Sequence, residues 1–417
     1  MRSLQTIPYK RRLVLAACLL GLISGLAGIF LHYLLELVEG LAVGRSEHQS
    51  GFLTDGVAPS RIWLSLFLVG ASSALVWYLL QRKGNILSIK GQMKEEPSRP
   101  RLHFWEQMLH STWQIIAVGA GAPVGKEGAP REIGALLATP LGRALDLSFQ
   151  DRIFLIACGA GAGLAAVYQV PLTSVFFIFE TLGLAFSMKR FVLAGITTYV
   201  AAYTAGLFIS DRALYQVPEI TWSPTVLWQM VIFITFLTPV AWLFARFTKK
   251  ASNHRIKDKR ILITLPLAFV FLAGLASFQP HLLGNGRMMA QEILNGATWQ
   301  TNFLLLTLKA LVVLVTFWAG SYGGTLTPSF ALGMAGAALI SLVLGVGNTP
   351  AFFLLGSVCF LTVTLKAPLS ATGLVLGFTG QGLTVLPYLL LTAFLTVGFS
   401  KGLDHLMGKK IKESSAR

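Results

Sequence analysis

Residues 125–130 read GKEGAP, and this polar stretch interrupts sequence that is otherwise apolar. Two adjacent charges, Lys126 and Glu127, lie between glycines, and Pro130 suits the first turn of a helix. The N–H groups before such a helix lack partners and the helix dipole adds positive potential, so this end binds anions readily. Because an ionised side chain is costly in apolar surroundings, the stretch predicts a functional role for Glu127. The alternative is a Lys126–Glu127 pair at a membrane surface with no transport role.

The surrounding composition predicts a membrane protein. Apolar residues form 54% of the chain and charged residues 12%, whereas soluble domains carry roughly 25% charged residues. Apolar runs recur at 13–31, 61–80, 191–209, 225–245, 261–277, 303–319, 330–346 and 384–399. A spanning helix needs about 20 apolar residues, and several runs are shorter. The 41 glycines and 17 prolines that interrupt them predict half-spanning helices. We therefore expect an all-α polytopic membrane protein.

Basic residues are concentrated in the segments 1–12, 81–101, 246–260 and 401–417. The positive-inside rule predicts that all four segments, and thus both termini, lie in the cytoplasm. Because these segments adjoin apolar runs, we expect the partner to be the lipid bilayer and not a nucleic acid. Lys309 lies within an apolar run and is expected to extend toward the membrane interface.

Metal and enzyme chemistry are not expected. Cys18, Cys158 and Cys359 form no CxxC pair, and the seven histidines lack ligand spacing. No nucleophile–base set is apparent, so we predict neither a metal, a cofactor nor an enzymatic activity.

An internal repeat organises the chain. The GKEGAP stretch corresponds to GGTLTP at 323–328, and its proline lies 198 positions before the proline of that stretch. The segment 170–182, VPLTSVFFIFETL, corresponds to 367–379, APLSATGLVLGFT, with their prolines 197 positions apart. Two separate matches at nearly one offset indicate a duplicated unit.

The repeat divides a single transmembrane domain, 1–417, into halves at about 13–210 and 222–400, followed by a short basic tail at 401–417. Such repeats often have opposite topology and place a substrate site at their interface near the bilayer midplane. The second break again offers glycines before a proline, so the backbone N–H groups of Thr325 and Leu326 are expected to face the same anion as the first. Taken alone, a plain helix start is an equal alternative for this break.

At these residues the chain resembles the CLC family of chloride channels and proton-coupled chloride transporters. Residues 125–129, GKEGA, match its G(K/R)EGP motif, and GGTLTP at 323–328 matches GGxFxP. Residues 159–180 and KAPLS at 366–370 match the segments that follow each motif. The four matches occur in the family's order and spacing.

The resemblance implies an inverted repeat of tilted and half-spanning helices whose N-termini meet at an anion. It also implies a homodimer in a cell (inner) membrane, with one pathway per subunit, bound chloride and no other cofactor. Glu127 corresponds to the gating glutamate, which competes with anions and carries protons. The implied anion-binding residues are Gly125, Lys126, Gly128, Gly324, Thr325 and Leu326.

Several positions depart from the family pattern. Thr181 occupies the place where exchangers often have a second glutamate as the internal proton acceptor, and threonine does not titrate near neutral pH. Gly84 aligns with the serine that reaches the central anion, which leaves the neighbouring Asn85 as a substitute donor. No tyrosine follows Tyr388 to supply the second hydroxyl.

Three functions follow. The first is passive or weakly proton-coupled chloride transport gated by Glu127, as in a voltage-gated-type channel, which Thr181 favours. The second is chloride/proton antiport through another internal acceptor, for which Glu180 is the nearest candidate, although an interfacial carboxylate at a helix end explains Glu180 equally well. The third is fluoride export, whose GNNLI loop is only partly matched at 84–87 and whose usual threonine is replaced by Ala129.

Overall fold

The computed structural model describes residues 8–44, 57–83, 86–95, 104–209, 213–218, 220, 226–346 and 350–415. Within these residues the fold is α-helical and contains no β-strand longer than an isolated bridge. The α-helices are α1 (Tyr9–Ala42), α2 (Pro59–Lys83), α3 (Ile89–Glu95), α4 (Phe104–Gly119), α5 (Gly128–Ala144), α6 (Phe149–Tyr168), α7 (Pro171–Leu182), α8 (Met188–Gly206), α9 (Val226–Asn253), α10 (Ile261–Phe278), α11 (Arg287–Leu294), α12 (Trp299–Ala319), α13 (Leu326–Val343), α14 (Pro350–Leu365), α15 (Pro368–Thr379) and α16 (Leu386–Ser415).

Eight helical segments in the described part of the chain are long and apolar enough to cross a membrane. They comprise α1, α2, α6, α9, α10, α12, α13 and the segment Leu383–Met407, which includes most of α16. Three shorter apolar helices, α7, α14 and α15, have 12–16 residues, fewer than the roughly 20 of a straight span. The prediction of an all-α multi-pass membrane protein with long and short helices is confirmed.

The two most closely packed helix pairs touch backbone to backbone. A Cβ atom added to Gly134 of α5 would lie 2.0 Å from the carbonyl oxygen of Gly159 in α6. In the second half, a Cβ atom added to Gly333 of α13 would lie 2.4 Å from the carbonyl oxygen of Gly356 in α14. Helices in membranes approach this closely where small residues face each other. Both helices that follow the sequence breaks are thus held rigidly by a neighbour.

Hydrogen bonds between long helices show which helix ends lie together. Arg61, at the start of α2, donates to the carbonyl oxygens of Gly40 (3.1 Å) and Leu41 (2.8 Å) at the end of α1. Trp63 Nε1 donates to Ser277 Oγ at the end of α10, over 2.9 Å. The pairs α1–α2 and α2–α10 are therefore antiparallel, so the start of α1, the end of α2 and the start of α10 lie on one side.

This side carries described residues of three of the four basic segments. We call it the basic end and define it by residues 8–12, 82–83, 86–94 and 246–260. Arg12 donates to the carbonyl oxygens of Leu145 (3.2 Å) and Asp146 (3.3 Å), which places the end of α5 there as well. The common side is the arrangement that the positive-inside rule requires, and the assignment of this side to the cytoplasm stays a prediction.

Lys309 does not extend to the membrane interface, so that expectation is wrong. Its side chain is fully buried in α12, and Nζ donates to the carbonyl oxygens of Leu282 (2.8 Å) and Gly284 (2.6 Å). These carbonyls precede α11 and lie inside the protein, where a buried ammonium satisfies them. The lysine is a structural donor because the chain before α11 turns back into the protein.

Candidate functional site

The two sequence breaks meet in the structure. Gly125 N–H donates to the carbonyl oxygen of Gly324 over 2.7 Å, and Gly324 N–H donates to that of Gly125 over 2.8 Å. This pair forms an isolated antiparallel bridge between the halves. A Cβ atom on Gly324 would lie 1.9 Å from Glu127 Oε1, and one on Gly125 would lie 2.2 Å from Oε2. The absence of a side chain at both positions leaves the space that the Glu127 carboxylate fills.

Each break opens a helix whose first N–H groups receive no capping bond from the adjacent side chain. Helix α5 begins at Gly128, so Pro130 lies in its first turn as predicted, and Glu127 precedes the helix without capping it. Helix α13 begins at Leu326, and Thr325 likewise makes no side-chain cap. Uncapped helix starts leave N–H donors for an anion.

Glu127 supplies an anion to the helix of the opposite half. Its side chain is fully buried, and Oε1 accepts a hydrogen bond of 2.6 Å from the N–H of Leu326. Oε2 is buried and has no hydrogen-bond partner among the described residues. A carboxylate at a helix start accepts charge-assisted hydrogen bonds and is stabilised by the helix dipole. The carboxylate therefore occupies a position that suits a free anion.

The other residues predicted at the first break surround this carboxylate. Lys126 precedes Glu127 and is 5% exposed, so its charge is nearly buried. Arg131 Nε donates to the main-chain carbonyl of Glu127 over 2.8 Å. A Cβ atom on Gly128 would lie 2.5 Å from Gln114 Oε1, so the amide of Gln114 lies directly against the start of α5.

Two further positions were predicted, Asn85 and Thr181. Asn85 and the neighbouring Gly84 lie outside the described residues. Thr181 is at the end of α7, and its Oγ1 is buried with no hydrogen-bond partner among the described residues. Neither position adds a titratable group to the site.

Glu180 caps a helix of the other half. Its carboxylate accepts hydrogen bonds from Leu369 N (3.0 Å), Ser370 N (2.8 Å) and Ser370 Oγ (2.6 Å) at the start of α15. Helix starts favour such an acceptor. Glu127 and Glu180 thus make the same kind of contact: in each, a carboxylate from the first half of the chain accepts hydrogen bonds from a helix start of the second half.

One polar cluster, inside the membrane region, was not predicted from the sequence. Glu132 Oε2, on α5, accepts from Gln114 Nε2 (2.8 Å) and Ser111 Oγ (2.9 Å), and His110 Nε2 lies 3.5 Å away. His110 and Gln114 also contact each other over 3.1 Å. The sequence does contain a signal for this cluster. His110, Ser111 and Gln114 occupy positions i, i+1 and i+4 of α4, and residues at this spacing lie on one side of a helix.

The cluster continues to the basic end. The ring of Tyr322 lies 4.5 Å from the ring of His110, measured between centroids, and 5.3 Å from that of Trp77. The Arg255 guanidinium lies 3.8 Å from the Tyr322 centroid and shares a side-chain hydrogen bond with this residue. Burial lowers the pKa of Arg255 from its usual value, whereas Tyr322 opposes that shift. A polar path of hydrogen bonds and ring contacts therefore joins Arg255 to Glu132, and between Tyr322 and His110 this path is a ring contact.

The described residues contain no group of three or more His, Cys, Asp or Glu side chains placed to hold a metal. The site instead combines backbone N–H donors, a buried carboxylate and nearly buried positive charge, which is the chemistry of anion binding.

Comparison with known proteins agrees with this chemistry. The family model described as "Voltage gated chloride channel" matches residues 69–401. An H(+)/Cl(-) exchange transporter ClcA from Vibrio cholerae is 25% identical and covers 92% of this chain and 85% of the relative. The ClcA of Citrobacter koseri is 26% identical over 93% of this chain and 85% of its own length.

Solved structures share the fold. A slow cyanobacterial Cl−/H+ antiporter has a TM-score of 0.81 and 20% sequence identity, covering 94% of this chain and 95% of its own. A CLC-type fluoride/proton antiporter has a TM-score of 0.74 and 17% identity with the same coverage. At these identities the likeness concerns the fold alone.

Proposed function

Because this chain belongs to the voltage-gated chloride channel family, we propose that it transports chloride across a membrane through a pathway that Glu127 gates. The observation that supports this proposal is the hydrogen bond from Leu326 N–H to Glu127 Oε1. The carboxylate fills a buried anion position to which both halves of the chain contribute.

The gate works by competition between two anions. When ionised, the Glu127 carboxylate holds the N–H group of Leu326 and blocks the pathway. When protonated, it loses its charge and the charge-assisted hydrogen bond, so it leaves and chloride takes its place. Chloride flux should therefore rise as the pH falls.

Chloride/proton exchange is the form of transport that the relatives' names favour. Thr181 weighs against the usual internal proton acceptor, and uncoupled chloride conduction is the alternative. By the same family membership, we propose a homodimer in a cell inner membrane, with the basic end and both termini in the cytoplasm.

Fluoride export is a second candidate. One structural neighbour is named as a fluoride/proton antiporter, and Gly84-Asn85 partly matches the loop of that branch. Ala129 departs from the threonine usual there, so chloride ranks first.

Flux measurements on liposomes containing the purified protein test these proposals. We expect chloride efflux down an imposed gradient, with potassium and valinomycin present to dissipate the potential, and faster efflux at acidic pH. Glu127→Gln should leave chloride efflux measurable and remove its pH dependence. Fluoride efflux without chloride efflux would refute the choice of anion. An unchanged pH response in Glu127→Gln would refute the gating role.

A further inference from the structure

We propose that Glu132 is the internal proton-transfer residue that replaces the missing acid at Thr181, exchanging protons between Glu127 and the basic end. This inference rests on the proposed Glu127-gated chloride transport and adds proton coupling to it. Glu132 is the carboxylate that the structure places beside the gate's own helix start and on a polar path to one membrane side.

Gln114 connects Glu132 to the gate. Its Nε2 donates to Glu132 Oε2 over 2.8 Å, while its Oε1 would lie 2.5 Å from a Cβ atom on Gly128, the residue that follows Glu127. Along α5, five residues separate the two glutamates, a rise of about 7.5 Å. The amide fixes Glu132 close to the gate without neutralising its charge.

Glu132 lies toward the basic end from Glu127. Helix α5 runs from the break to Leu145, whose carbonyl binds Arg12 of the basic end. Helix α4 starts at the same end, since Leu87 N–H donates to Gln107 Oε1 over 3.0 Å shortly after α2 ends. Glu132 is therefore placed to receive protons from one side of the membrane and deliver them to the midplane.

Part of the Glu132 side chain remains exposed. Its exposed fraction is 19%, whereas the side chain of His110 beside it is fully buried. A proton-transfer residue must be fixed by hydrogen bonds and still be open to exchange on one side, and this partial exposure is consistent with that requirement.

The charged and titratable groups around Glu132 come from four elements. They are His110 on α4, Arg131 on α5, Arg255 in the segment after α9, and Tyr322 before α13. Two of these groups are cations, which favour the ionised carboxylate, and burial opposes it. Opposing influences of this kind suit a carboxyl group that both binds and releases a proton.

Glu180 is less suited to this role although it lies next to Thr181. Three donors at the start of α15 fix its carboxylate, and protonation would give up these charge-assisted bonds.

The transfer itself conserves the proton: neutral Glu132 gives its carboxyl proton to ionised Glu127, becomes a carboxylate, and is protonated again from the basic end.

The test compares Glu132→Gln with wild type in liposomes, recording chloride efflux and external pH together. We expect proton movement in wild type. In the variant, proton movement should fall roughly tenfold or more relative to chloride, in line with the loss of a positioned acid, while chloride still moves. Glu292→Gln is the matched control, because it removes the carboxylate of another His–Glu pair (His281 Nε2 to Glu292 Oε2, 3.8 Å) and should remain coupled.

The outcomes separate the two proposals. Absence of chloride flux in wild type refutes the proposed function itself. Chloride flux without proton movement in wild type, or full coupling in Glu132→Gln, overturns the role of Glu132 and leaves chloride transport standing. If Glu132→Gln fails to fold, Glu132→Ala provides the test: it also removes the acid, so coupling should be lost, and coupling equal to wild type would overturn the role.

Discussion

Replacing Gly324 by alanine should close the anion position between the two breaks. The new Cβ atom would lie 1.9 Å from Glu127 Oε1 and 2.2 Å from its Cδ. Non-bonded heavy atoms settle at about 3.5–4.0 Å. The backbone has no left-handed conformation here that alanine would disfavour. The clash therefore falls on a flexible side-chain end, which can move away, and the fold should persist.

The size of the effect follows from the contact that is lost. When the carboxylate moves away, it gives up the 2.6 Å hydrogen bond from Leu326 N–H. A hydrogen bond to a charged group contributes about 1.5–3 kcal/mol. At 1.4 kcal/mol per factor of ten, occupancy of this position falls about 10- to 150-fold. Chloride is larger than an oxygen atom and would meet the same methyl group.

Initial rates of chloride efflux at neutral and acidic pH measure this effect. Gly324→Ala should show at least roughly tenfold slower efflux and no acceleration by acid. Gly195→Ala is the matched control, because an added Cβ there meets no atom within 4 Å. Adding Glu127→Ala to Gly324→Ala should not restore efflux, since the methyl group remains. Wild-type rates and pH response in Gly324→Ala would show that neither the carboxylate nor chloride uses this position.

Three further substitutions test the packing and the caps by thermal unfolding of purified protein in detergent. Gly134→Ala should lower the unfolding temperature and reduce the free energy of unfolding by about 1–3 kcal/mol or more, because the new Cβ would lie 2.0 Å from a carbonyl oxygen of α6. A stability equal to that of wild type would contradict the backbone contact. Lys309→Met should destabilise by about 1–3 kcal/mol because two buried carbonyls lose their donor, and an unchanged transition would refute that assignment. Glu180→Gln should lower the free energy of unfolding by about 1–2 kcal/mol, because a charged helix cap is lost, and it should preserve proton coupling. Loss of coupling with unchanged stability would instead identify Glu180 as the proton acceptor.

The sequence predicted the membrane class and the importance of both breaks. The common offset of GKEGAP and GGTLTP pointed to paired positions, and Gly125 and Gly324 are in fact hydrogen-bonded to each other. This succeeded because glycine and proline requirements are local and visible in one chain. Pro130 was expected in the first turn of a helix, and it lies in the first turn of α5, which begins at Gly128.

The long-range partners could not be predicted. Lys309 was expected at an interface and is instead a buried donor, because its acceptors lie 25 and 27 residues earlier in the chain. Glu180 meets donors 189 and 190 residues later. No sequence motif pointed to Glu132, because its hydrogen-bond donors lie on the preceding helix, α4. Which polar side chains meet depends on how helices cross, and no single periodicity encodes that crossing.

The backbone-to-backbone packing of Gly134 with Gly159, and of Gly333 with Gly356, limits which parts of the protein can move. At these contacts the two backbones of each pair leave no room for a side chain between them. Collective helix motions take microseconds to milliseconds, whereas a side-chain rotation takes picoseconds to nanoseconds. For the proposed gate we therefore expect the Glu127 side chain to be the moving part. Turnover should then depend on how often its carboxylate gains and loses a proton, and not on a rearrangement of the closely packed helices.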